Sequence, residues 1–141
     1  MRNEPKPVHV DTALLLIRVA SGLAFLYHGS AILFGAFGGP GPKGFAAFLH
    51  APAIVGYLLG IAQLFGALAM LTGILARAGA ACIIIVMLGA IFLVHLPHGF
   101  DVSHGGIEFA FTMLLIALAL VFTGPGKFSV AALLPERLQK L

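Results

Sequence analysis

Four histidines, His28, His95, His98 and His104, are the residues of this chain best suited to chemistry, together with Glu108, Tyr27 and the amide of Gln63. An imidazole binds metals and passes protons near neutral pH. Three chemistries fit. His95, His98, His104 and Glu108, spaced H-x2-H-x5-H-x3-E, offer ligand types that suit zinc, copper or iron. The spacing matches no established motif, however, and Pro97 interrupts it. A quinone-type head group would instead use Tyr27, His28, Gln63, His95 and Glu108, whose hydrogen bonds suit carbonyl and hydroxyl oxygens. A haem held between His28 and His95 fits least well, because the chain has no c-type attachment motif. Against all three stands the plain reading that the histidines are interfacial residues bonded to carbonyls, to Glu108 and to water.

Arg18 belongs to a different place. It lies inside the first apolar run near the cytoplasmic end, as an anchor on that side. It either snorkels its guanidinium to phosphates or pairs within the helices, with Gln63 through a water.

These residues are positioned by four apolar runs near bilayer thickness, at about 12–34, 53–75, 78–96 and 106–122. Mean hydropathy is +1.08 and 9% of residues are charged, whereas a soluble domain carries about a quarter. A span needs about 20 apolar residues. The expected fold is therefore all-α, an integral membrane four-helix bundle running up-down-up-down, as one membrane domain over 1–141. The tail, 123–141, contains a short amphipathic surface helix from Ser129, which would cap it. A further short interfacial helix is expected near 44–50, laying Phe45 and Phe48 into the headgroups.

With four spans, Arg2, Lys6, Arg18, Arg77, Lys127, Arg137 and Lys140 fall on the side of the termini, and only Lys43 opposite. Positive residues favour the cytoplasm, so both termini are expected inside, in the cell's inner membrane. The pI of about 9.4 is this topology signal and gives no reason to invoke nucleic acid. The first run is too long for the apolar core of a cleaved signal peptide. Cys82, the only cysteine, cannot form an internal disulfide.

Helices in lipid associate through small residues that let backbones approach. Arg18, Gly22, Phe25 and Gly29 share one stripe, and Gly56, Gly60, Gln63 and Ala67 another. Folding on these stripes gathers His28, His95, His98, Asp101, His104 and Glu108 at one membrane face. Phe25-Leu26-Tyr27-His28 also echoes Phe92-Leu93-Val94-His95, consistent with a pair of related hairpins.

The chain resembles the DoxX family of small four-helix membrane proteins from about Leu14 to Leu134. The resemblance rests on Leu15-Leu16-Ile17-Arg18-Val19-Ala20, Tyr27-His28-Gly29, Gly44-Phe45 with Phe48-Leu49, and Gly60-Ile61-Ala62-Gln63-Leu64-Phe65-Gly66. It continues in His95-Leu96-Pro97-His98-Gly99-Phe100, Gly105-Gly106-Ile107-Glu108 and Thr123-Gly124-Pro125-Gly126. It implies a subunit or partner of a quinone-linked redox system, related to sulfur chemistry or oxidative stress, with a soluble or membrane oxidoreductase beside it. Relatives often carry glutamate at the Gln63 position and asparagine at that of His98. Two other readings remain at this point: a non-catalytic scaffold docking a partner enzyme, and a small metal-handling or transport protein. A homo-oligomer is compatible with each.

Overall fold

A computed structural model describes residues 8–139, and among these every regular element is helical. Helix α1 runs Val8–Phe34, α2 Gly41–Phe48, α3 Ala53–Thr72, α4 Ala76–Ala90, α5 Glu108–Thr123 and α6 Glu136–Gln139. Three stretches are long and apolar enough to cross a membrane: Val8–Phe34, Ala53–Thr72 and Ala76–His98. The 16 residues of α5 reach about 24 Å at 1.5 Å per residue, a few ångströms short of the hydrocarbon thickness.

Local chemistry sets the boundaries. Pro52 precedes the first turn of α3, where a missing N–H costs nothing. Gly73, with φ of 78°, ends α3 and donates its N–H to the Ala69 carbonyl. Pro97 cannot continue a helix, because it lacks an N–H and its ring crowds the carbonyl four residues back. The chain accommodates it by unwinding α4 into a π-helical turn, Ile91–His95, then a 3-10 turn, Leu96–His98. The third run therefore does not stop at Pro97 but passes through it.

The C-terminal segment differs from the amphipathic helix expected there. A 3-10 turn, Val130–Leu133, and the four-residue α6 are separated at Pro135. Ser129 does not cap a helix; its hydroxyl donates to the Gly126 carbonyl at 2.9 Å. Lys140 and Leu141, at the end of the expected helix, and Arg2 and Lys6 lie outside the described residues.

In packing, α1 lies along α3, α3 along α4 and α4 along α5, with α2 tucked against α3. Both small-residue stripes face inward: Gly22, Phe25 and Gly29 are buried on α1, and Gly56, Gly60, Gln63 and Ala67 on α3. At Gly29 the contact is backbone to backbone. An added Cβ would lie 2.8 Å from the Leu64 nitrogen. A similar approach at Gly66 and Gly79 lets α3 meet α4 over Ile83 and Ala69. The apolar core runs through Phe25, Met70, Ile83, Ala117 and Leu120.

Candidate functional site

The site begins at Gly29. Because this residue has no side chain, α3 can lie directly against α1, which sets Gln63 beside the turn that carries His28. Gln63 is buried, and its amide has no hydrogen-bond partner among the described residues. His28, Gln63 and His95 line one cavity of about 450 Å³, within the size range of small-molecule sites. Its remaining walls are mainly apolar, including Phe25, Phe45, Met87, Phe109 and Ala110.

His95 reaches the cavity because the π-helical turn places it there. Such turns shift the phase of the residues that follow them. Its Nδ1 lies 2.6 Å from the Gly105 carbonyl oxygen. A carbonyl only accepts, so Nδ1 carries the proton, and in the neutral ring Nε2 is left with a free lone pair.

Loop 99–107 covers the cavity, presenting Val102, Gly105 and Gly106 to it. The loop is fastened by its own backbone: Gly106 donates to Asp101 at 2.8 Å, Ile107 to Gly99 and Glu108 to Phe100 at 2.9 Å each. Gly106 must be glycine, since an added Cβ would sit 2.5 Å from the Phe100 carbonyl carbon. Asp101 accepts the backbone N–H and the hydroxyl of Ser103, both at 2.8 Å. Those bonds, the hydroxyl's foremost, hold its carboxyl below the usual carboxylate range.

Several sequence candidates are thus drawn away from the cavity. Glu108 accepts the Val102 N–H at 3.0 Å and serves the loop. His104 Nδ1 lies 3.1 Å from exposed Asp101 Oδ2, and His98 Nδ1 lies 3.1 Å from the Val94 carbonyl. The set His95, His98, His104 and Glu108 is not assembled as a metal shell. No group of three such side chains able to hold a metal occurs among the described residues. The physical reason is that Nδ1 of each histidine and one carboxylate oxygen of Glu108 meet separate local partners. Tyr27 stands outside the cavity, stacked on Phe37 at 4.9 Å and edge-on to His28 at 5.4 Å. The rings that the sequence echo pairs, His28 and His95, do share the cavity.

At the opposite end, Arg18 is fully buried. Its Nη1 donates to the Pro125 carbonyl at 2.5 Å and its Nη2 to the Phe128 carbonyl at 2.9 Å. It neither snorkels to phosphate nor pairs with Gln63; it clamps the segment after α5. Asp11, two turns earlier on the same stripe and also buried, accepts the Lys127 N–H at 3.0 Å. Asp11 escaped sequence reasoning, although its spacing of seven from Arg18 places both on one helix face. Phe45, expected in the headgroups, instead helps wall the cavity. Val102, Gly105 and Gly106 were missed because loops carry no periodic signal, and Phe109 because one phenylalanine in an apolar helix is not distinctive.

Long apolar helices packed on small residues, enclosing a neutral polar pocket, define an integral membrane protein of the helical class. A family model, DoxX, matches residues 13–96. The chain belongs to the DoxX family. The match includes Arg18, His28, Gln63 and His95 and ends before loop 99–107, Glu108 and α5, a shorter reach than the sequence resemblance implied. Neither a curated protein nor a solved structure matches the chain.

Proposed function

We propose that this chain is a four-span inner-membrane protein, up-down-up-down as one domain with both termini cytoplasmic, that serves a quinone-linked redox system as a subunit or partner. The placement of Lys and Arg supports the orientation. The observation that carries the functional reading is the Gln63 amide, which makes no hydrogen bond among the described residues, on a largely apolar cavity shared with His28 and His95. The amide therefore has its donors and acceptor to offer to whatever occupies the cavity, and a ligand oxygen would engage them.

The polar groups suit a neutral ring with carbonyl or hydroxyl oxygens. Gln63 can donate to a carbonyl oxygen, while His95 Nε2 accepts from a hydroxyl. Loop 99–107 excludes water on one side. A quinone would supply carriage of two electrons and two protons; the side chains around it bind, orient and hold protons at His28 and His95. Cys82 stands alone, so electrons would come from a partner oxidoreductase. Tyr27 and Glu108 would act one layer out, through the His28 ring and the loop.

The test is organic extraction of the purified full chain. Wild type should retain quinone, and His28→Ala and Gln63→Leu should each lower its occupancy. Loss of one hydrogen bond, worth roughly 0.5–1.5 kcal/mol, corresponds to about two- to tenfold weaker binding. Equal occupancy in all three proteins would refute the assignment. A quinone-free preparation that co-purifies with a soluble enzyme would favour a scaffold.

A further inference from the structure

The cavity has one wall unlike the others. Helices α3 and α4 back it closely and loop 99–107 covers it, but α1 and α5 touch only sparsely. Across that seam His28 meets Phe109, ring centroids 5.8 Å apart. Both rings line the cavity, and both are exposed, Phe109 by 37%. Exposed rings lining a cavity at a sparse helix contact mark where that cavity opens. Leu23 on α1 and Leu115 on α5 continue the exposed apolar surface, a surface suited to acyl chains. None of the cavity's polar side chains carries a fixed charge, and a charged head drawn in from lipid would be left without a counter-ion.

We propose that the cavity fills from the side: its ligand is an uncharged, tailed amphiphile that enters from the bilayer between α1 and α5. The head reaches Gln63 between the two histidines, the tail stays in lipid, and Phe109 at the seam determines which tails pass. The nature of the head rests on the quinone reading; the lateral opening does not. A tail left in lipid gains nothing from the protein, so affinity referred to the ligand's concentration in the bilayer should be independent of tail length.

Two measurements on the full chain in lipid nanodiscs test this. The first compares 2,3-dimethoxy-5-methyl-1,4-benzoquinone with its decyl-tailed analogue. Phe109→Trp, which narrows the seam, should weaken the tailed probe at least tenfold more than the tail-less one. Equal loss of both probes in Phe109→Trp would overturn the proposal. The second exploits the absence of tryptophan from the chain. Phe109→Trp supplies a single indole, which brominated acyl chains should quench strongly. The indole of Phe25→Trp, at a buried position on the same cavity, should be quenched weakly. Equal quenching would overturn the lateral opening whatever binds. Unequal quenching with neither quinone bound would support the opening and overturn the head-group reading.

Discussion

Gly29→Ala perturbs the site without touching any polar group. The added Cβ would lie 2.8 Å from the Leu64 nitrogen and 3.2 Å from the Gln63 carbonyl carbon and Leu64 Cα. Ordinary contact begins at 3.4 Å, and all three neighbours are backbone inside a helix, so no rotamer change relieves the clash. Helices α1 and α3 must part locally by roughly half an ångström or more, and close-packed interiors resist that. Overpacking of this kind costs about 1–3 kcal/mol, while alanine's better helix propensity returns at most about 1 kcal/mol. Gln63 shifts with α3, away from His28. Gly89→Ala is the matched control: it also lies in a membrane helix, α4, and its Cβ would meet nothing within 4 Å. In reversible unfolding from mixed micelles, Gly29→Ala should be destabilised by up to about 2 kcal/mol after the full offset and should retain less quinone. Gly89→Ala should equal or exceed wild type. Equal stability and occupancy in the two variants would refute the close-approach argument.

Arg18→Lys keeps the charge but cannot span both carbonyls. It should lose one charge-assisted bond, about 1.5–3 kcal/mol, and speed hydrogen exchange at Lys127; unchanged stability and exchange would contradict the clamp. Glu108→Ala should accelerate exchange at the Val102 amide, whereas Glu108→Gln, which keeps an acceptor, should not; an Ala variant with wild-type protection would exclude the loop role. Asp101 is depressed by its Ser103 bonds, so the turn it holds is intact above the ordinary carboxylate value and is lost as pH falls through the lower folded value. The Ser103 amide shift should therefore titrate with a midpoint below the reference of about 3.9; a midpoint at or above it would remove the proposed cause.

The helices were legible in the sequence because apolar length and small-residue spacing are local signals. The inward stripes at Gly22–Gly29 and Gly56–Ala67 follow directly from helical periodicity, and so does the meeting of His28 with Gln63. What was not legible depends on backbone partners. Arg18 binds carbonyls 107 and 110 residues away, and every residue has a carbonyl, so composition could not single them out. The set His95, His98, His104 and Glu108 is not gathered into one group among the described residues, and the reason is short-range. Between His98 and Glu108 the chain closes a loop on its own N–H and carbonyl groups, which engages the candidate ligands before they can converge. Pro97 was rightly read as a disruption, but a π-helical turn absorbs it, and that turn is what carries His95 into the cavity.

Gln63 then limits what the site can do. Its amide is neutral at every accessible pH, so it can orient a ligand oxygen but cannot pass on a proton. On the quinone reading, proton handling falls to the two imidazoles, and they are held differently. His95 keeps its Nδ1 proton on the Gly105 carbonyl, so gain or loss of a proton at Nε2 leaves the loop fastened. His28 has ring contacts to Tyr27 and Phe109 but no hydrogen bond among the described residues, so no protein acceptor fixes which of its ring nitrogens carries the proton. A carboxylate in place of Gln63 would add a third proton-carrying group, at the cost of a charge in an apolar pocket with no counter-ion. Gln63→Glu should therefore bind the quinone head group with a dependence on pH that the wild-type amide lacks. The same pH dependence in both proteins would assign the proton chemistry to the histidines alone.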